Sequence, residues 1–208
     1  MSAHRIFRER IAEAQRRCGT DKALWLRPRL SEMPAPMARY DDPFFPFSKA
    51  LIDVTHDVVC TYLFDMAAYL ALGAAGAVAL ERSIAAARAF NVAALLHGQF
   101  ASADYLHAAG GSGFNADGVT VTANAPLSII QAYSTVFHEA VVIFKAGDEP
   151  TLSQWAIWDT AAARITITGT DAEVQRVTMQ VMGDEVLYAG HGDDFAAQSR
   201  AALLVGTR

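Results

Sequence analysis

Short apolar runs alternate with longer amphipathic ones along most of this chain. Residues 6–17 repeat apolar positions with a period near 3.6, which predicts a leading amphipathic helix. Residues 23–26 read as a strand ended by Arg27-Pro28, and Pro34, Pro36, Pro43 and Pro46 mark a long loop before a helix at 47–59. A strand at 60–64 precedes a helix, or helix pair, over 66–88, bent at Gly73 and Gly76. Next come a strand at 91–96, a short helix at 103–109, a strand at 118–122 and a helix at 127–133. The last third predicts strands at 140–144, 165–168, 185–188 and 202–205, with helices at 152–162, 172–181 and 195–201 between them.

Eight strands alternating with helices fit a (β/α)8 TIM barrel or a doubly wound open sheet, and alternation alone does not separate the two. The length of 208 residues fits one domain spanning 1–208. No helix is predicted after the eighth strand, so either the leading helix or a partner subunit is expected to cover that position.

Composition narrows the function. The chain is 52% hydrophobic and 19% charged, which suits a large core, and its net charge of −5 offers no footprint for nucleic acid. Arg8, Arg10, Arg16 and Arg17 sit among Glu9 and Glu13 and read as the solvated face of the first helix. Cys18 and Cys60 build neither a disulfide framework nor a CxxC metal site, and Cys60 lies in an apolar run as a buried thiol. There is no secretory h-region and no apolar stretch of membrane-spanning length, so a cytoplasmic protein without membrane or cofactor partners is expected. Asp104 and His107 share a helix face as a surface pair rather than a metal site, and Trp155 and Trp158, at i, i+3 on a helix, read as barrel packing or a subunit contact.

The stretch from Val58 to Gly76, VVCTYLFDMAAYLALGAAG, resembles a segment of the bacterial long-form orotidine 5'-phosphate decarboxylases that reads roughly V-C-A-Y-K-F-N-x-A-F-Y-E-A-L-G-x-x-G. Arg27-Pro28-Arg29 resembles that family's D-P-D after strand one, and residues 47–55 resemble its F-x-K-A-I-I-D-A-T helix. Residues 116–121 look like its A-D-A-V-T-V. The resemblance implies a (β/α)8 barrel whose strand ends form an active-site mouth, and it favours the barrel over the open sheet.

The family's signature D-A-K-R-G-D-I is matched here by His97-Gly98-Gln99-Phe100-Ala101-Ser102-Ala103, and the lysine of its second strand by Leu63. The catalytic array of lysines and aspartates is thus replaced by His97, Gln99, Ser102 and Leu63. A glutamine does not donate a proton at neutral pH and a leucine offers no hydrogen bond, so ordinary orotidylate decarboxylation is expected to be absent.

Two readings of function remain open. In the first, a repurposed lyase, isomerase or cyclase of biosynthesis acts on a small organic metabolite. His97 then serves as acid or base, with Gln99, Ser102 and Asp65 completing the catalytic set. In the second, the chain is a non-catalytic member that binds a ligand or stabilises a partner. Substrate contacts are expected from Arg27, Leu63, Phe100 and Asn124. They are also expected from the Gly190-His191-Gly192 loop and Arg208, which match the family's phosphate-holding positions. Phe44, Phe45 and Phe47, in the loop after the first strand, read as barrel-capping core rather than a ligand lid; with Leu63 and Phe100 they make the mouth more apolar than the family's and favour a less charged ligand. The family's dimers pair through their mouths, so a homodimer with Ser102 and Phe100 near the interface is expected.

Overall fold

A computed structural model describes residues 7–98, 100–110, 113–122, 125–126, 128–129, 131–132, 141–145, 156–167 and 176–205. Eight strands close into one barrel in chain order: β1 (Lys22–Leu26), β2 (Thr61–Asp65), β3 (Ala93–His97), β4 (Gly118–Thr122), β5 (Val141–Lys145), β6 (Ala156–Asp159), β7 (Arg164–Ile167) and β8 (Val177–Met182). Pairings from β1 through β6 are all parallel, and β8 joins β1 in parallel to close the circuit.

The final third departs from the regular (β/α)8 expectation. β7 runs antiparallel to both β6 and β8, so these three form a meander. Antiparallel neighbours need only a tight turn where parallel ones need a crossover, and residues 160–163 supply that turn, with Ala163 at φ 47°. The expected helices at 152–162 and 172–181 are therefore replaced, in their described parts, by β6 and β8. In β8, Val177, Met179 and Val181 are buried and Gln180 is exposed, the two-residue alternation of a strand.

The expected strands at 185–188 and 202–205 are helical. They fall within α6 (Asp184–Leu187) and α7 (Phe195–Val205). Two helices thus follow the last strand, which corrects the expectation of none. α7 buries Phe195, Ser199 and Leu203, one residue per helical turn. Its Leu203 carbonyl accepts a hydrogen bond from the buried Lys22 ammonium, tying the helix to β1.

The remaining helices are α1 (Phe7–Cys18), α2 (Phe44–Thr55), α3 (Met66–Leu70), α4 (Gly73–Ala89) and α5 (Ala103–Ala109). The break between α3 and α4 falls at Gly73, whose φ of 63° suits glycine. α2 starts at Phe44, so the phenylalanines assigned to a loop lie on its first turn, with Phe44 and Phe47 buried. Cys60 is fully buried, its thiol bonded to the Lys22 carbonyl at 3.2 Å, and burial pushes its ionisation far upward.

α1 docks with more than an apolar stripe. Phe7, Ile11 and Ala14 are buried, and so is Arg8, which sequence reading placed on the solvated face. Arg10 bonds Asp117 at 2.5 Å, Arg88 of α4 bonds the same carboxylate, and the Ala94 amide donates to its other oxygen at 2.9 Å. Asp117 thus joins α1, α4 and β3 at one carboxylate that is only 6% exposed.

Removing that acceptor leaves one amide and two guanidinium groups unpaired. Asp117→Ala is expected to lower unfolding stability by about 2–3 kcal/mol. Asp53, paired with Lys49 on the surface of α2, gives the control: Asp53→Ala is expected to cost under about 0.5 kcal/mol. Urea titration of both variants checks the contrast, and equal losses would remove Asp117 from this structural role.

Candidate active site

The C-terminal ends of β1 to β4 bring Arg27, Asp65, His97 and Thr122 to one pole of the barrel. Parallel strands alternate their side chains between interior and helix layer. Tyr62 bonds Thr55 of α2 at 2.8 Å and therefore faces outward, leaving Thr61, Leu63 and Asp65 to face the interior. Leu63 is fully buried and lies in register with Trp25 and Leu95.

Three rings meet across that interior. Trp25 and His97 lie 5.5 Å apart, Trp25 and Trp158 5.0 Å, and His97 and Trp158 4.9 Å, all edge to face. They come from β1, β3 and β6, none of which neighbours another in the sheet, so the contacts cross the barrel. Edge-to-face packing at these separations leaves no room for a ligand ring among them. Trp158 stands on a strand in the barrel interior, not on a helix; Trp155 lies outside the described residues.

His97 is 6% exposed. Its Nδ1 lies 2.7 Å from the Thr120 hydroxyl, which also accepts from the Gly98 amide and donates to the Gly98 carbonyl, both at 3.1 Å. A hydroxyl has one proton to give, so with that proton on Gly98 the neutral imidazole carries its own on Nδ1. Burial lowers the proton affinity of His97, the neighbouring Asp65 opposes this, and Arg27 reinforces it. Asp65 lies opposite His97 in register and spends one carboxylate oxygen capping α3, accepting from the Ala68 amide at 2.9 Å.

Gly98 has no space for a side chain: a Cβ would lie 2.7 Å from the Tyr105 hydroxyl. Tyr105 in turn donates to the Leu96 carbonyl at 3.2 Å. Ser102 caps α5, its hydroxyl accepting from the Tyr105 amide at 3.2 Å. Phe100 is 49% exposed, edge-on to Tyr105 at 5.3 Å. The structure thus gathers His97 and Asp65 at the strand ends, with Leu63 in the barrel interior below them, but gives Ser102 a capping bond and Phe100 a surface position. Gln99, Asn124 and Arg208 lie outside the described residues.

On the rim, Arg27 and Arg29 share one oxygen of Asp184, each at 2.6 Å. Arg27 also stacks over the Trp25 ring at 4.5 Å, and its Nε is buried without a partner among the described residues. The Tyr188 hydroxyl donates to the Arg27 carbonyl and accepts from the Arg29 amide, both at 2.9 Å. The glycine loop follows directly. Gly190 is buried where a Cβ would strike the Gln198 side chain, while His191 and Gly192 are exposed, and the His191 carbonyl accepts from the Ala35 amide at 2.9 Å. Gly190 therefore serves helix packing.

Trp25, Thr120, Asp184 and Tyr188 were absent from the sequence-derived site. Trp25 and Thr120 carried a signal, since each lies in a strand on the same alternation as a nominated residue. Asp184 and Tyr188 carried none, because their contacts span about 160 residues.

No protein-family model matches the sequence. The orotidine 5'-phosphate decarboxylase of Flavobacterium johnsoniae is 41% identical over 59 residues, which is 28% of this chain and 22% of that protein. That of Herpetosiphon aurantiacus is 34% identical over 80 residues, 38% of this chain and 30% of its own. The matched stretches thus span less than a third of these relatives. Among solved structures, the orotidine 5'-monophosphate decarboxylase of Plasmodium berghei aligns over 70% of this chain and 62% of its own, with a TM-score of 0.58 at 11% identity. The OMP decarboxylase of Leishmania donovani aligns over 70% and 56%, with a TM-score of 0.53 at 20% identity. The chain is thus similar to orotidine 5'-phosphate decarboxylases in sequence over these stretches, and it shares a barrel fold with solved decarboxylase structures.

Proposed function

We propose that this chain is a non-catalytic member of the orotidine 5'-phosphate decarboxylase family, one that holds an anionic group at the barrel rim and leaves the interior closed. The observation that carries this reading is the ring cluster of Trp25, His97 and Trp158. Catalysis by this family rests on charges preorganised around the reacting group in a water-excluded site. The positions matched to those charges are here a buried leucine, a buried histidine, a helix-capping serine and Gln99. An acid or base must also come within about 3 Å of the atom it serves, and His97 is walled by indoles.

Anion binding follows from the rim charges. Two guanidinium groups share one carboxylate oxygen, which leaves one positive charge in excess and several N–H donors for a phosphate or carboxylate. The runner-up, a repurposed enzyme with His97 as its acid or base, draws on one observation: Asp65 lies in register beside His97.

Purified protein is expected to release no carbon dioxide from orotidine monophosphate above a blank. Turnover that disappears in His97→Gln would instead establish catalysis and support the runner-up.

Calorimetric titration with inorganic phosphate at low salt is expected to detect binding that the Arg27→Gln/Arg29→Gln double variant weakens at least tenfold. Unchanged phosphate affinity in that variant would remove the rim from the reading.

The reading also makes His97 a core residue with a predictable pH dependence. Its proton affinity in the fold lies below that of a free histidine, so the unfolded chain binds the extra proton first as pH falls. Stability is therefore full above the ordinary histidine range, about pH 6.5, and declines as pH drops below it. His97→Asn is expected to flatten that decline in urea melts between pH 7 and 5. An unchanged slope would mean that His97 does not carry it.

A further inference from the structure

Two clusters in this chain set a pair of arginines on one carboxylate, and they differ in burial and in saturation. At Asp117 the carboxylate is 6% exposed, takes Arg10 and Arg88 on one oxygen and the Ala94 amide on the other, and so joins three elements. At Asp184 the side chain is 34% exposed, between guanidinium groups that are 32% and 42% exposed. Both rim arginines reach its Oδ2, and Oδ1 has no hydrogen-bond partner among the described residues.

Arg27 and Arg29 do not depend on Asp184 for their placement. Arg27 lies over the Trp25 ring at 4.5 Å and Arg29 over the Tyr188 ring at 5.3 Å, each a cation–π contact. The Tyr188 hydroxyl holds their backbones, donating to the Arg27 carbonyl and accepting from the Arg29 amide. Tyr188 is itself fixed by Phe47, whose ring stacks on it at 5.7 Å and on Phe195 at 5.7 Å. With the carboxylate removed, a ring and a backbone bond still hold each arginine.

The carboxylate also leaves most of the donors unanswered. A guanidinium carries five N–H groups, and Asp184 takes one from each arginine, while the buried Nε of Arg27 has no partner among the described residues. A tetrahedral oxyanion brings more oxygens and more charge than a single aspartate oxygen. Exposed ion pairs are weak, so a diffusible anion competes with Asp184 on nearly even terms.

We propose that Asp184 is the resident anion of the rim: it occupies the place of a ligand oxygen between Arg27 and Arg29, and a phosphate-class oxyanion binds by displacing it. The proposal rests on the anion-binding reading of the rim and adds its regulation. The fraction of molecules in which the carboxylate fills the site lowers the apparent affinity in proportion.

Calorimetric titration of the full chain with inorganic phosphate at low salt tests it, with circular dichroism to verify folding. Asp184→Asn keeps the size of the side chain, removes its charge, and is expected to bind phosphate roughly five- to tenfold more tightly than the wild type. Asp184→Ala, which empties the position, is expected to do the same. Glu185→Gln removes an equal charge one residue away, from an exposed side chain that bonds the Gly183 amide rather than the arginines, and is expected to gain less than about twofold. Adding Arg27→Gln/Arg29→Gln to Asp184→Asn is expected to abolish the gain. Unchanged or weaker binding in both Asp184 variants, with wild-type binding intact, would overturn the displacement and leave the rim reading standing. An equal gain in Glu185→Gln would also overturn it, because net surface charge and not the contact would then set the affinity. If the wild type and Asp184→Asn bind phosphate no better than the arginine double variant, the anion-binding reading itself falls and the displacement with it.

Discussion

A closed barrel encloses a volume that its own strands must fill, and in this chain rings from three non-adjacent strands meet there. Interiors of proteins pack at the density of organic crystals, so placing Trp25 and Trp158 there dictates much of what surrounds them. Burial in this packed interior lowers the proton affinity of His97. Thr120 then fixes the imidazole, Gly98 admits the Tyr105 hydroxyl, and Ser102 starts the helix that carries Tyr105. A line of local contacts thus runs outward from one packing requirement.

The rim obeys a different rule. Arg27 and Arg29 stand where the sequence resemblance puts aspartates, and Asp184 answers both from the far end of the chain. Exposed ion pairs of this kind contribute little to stability. What they do fix is position, since Tyr188 and the His191 carbonyl complete a clasp over the β1 loop.

How far the sequence could be read depended on whether a signal was local. The strands from β1 to β5 were legible because their apolar runs are short and bounded by turn residues, and the one at 118–122 matches its predicted limits. The final third misled because short apolar runs suit either helix or strand. Val177, Met179 and Val181 alternate like a strand, whereas Phe195, Ser199 and Leu203 recur every four residues and carry the helix through 202–205. For the site, His97 was found by its match to the family's signature and Asp65 by its place at the end of its strand. The blocking indoles were not, because a tryptophan shows its neighbours only after the barrel has closed. Ser102 was nominated by its match to a catalytic position, while its actual bond follows the local rule for a residue opening a helix.

Closure of the ring has a consequence for how the chain is made. β1 completes its pairing only with β8, and α1 reaches Asp117 and the Thr178 carbonyl through Arg10 and Gln15. Contacts across such sequence distances carry a large loop-closure entropy and slow the search for the native state. A ribosome releases the amino-terminal strand long before its last neighbour exists. Until then β1 presents an open edge with Trp25 beside it, a surface of the kind that chaperones bind and that other nascent chains can pair with. The closed ring thus leaves its first strand waiting until the eighth has been made.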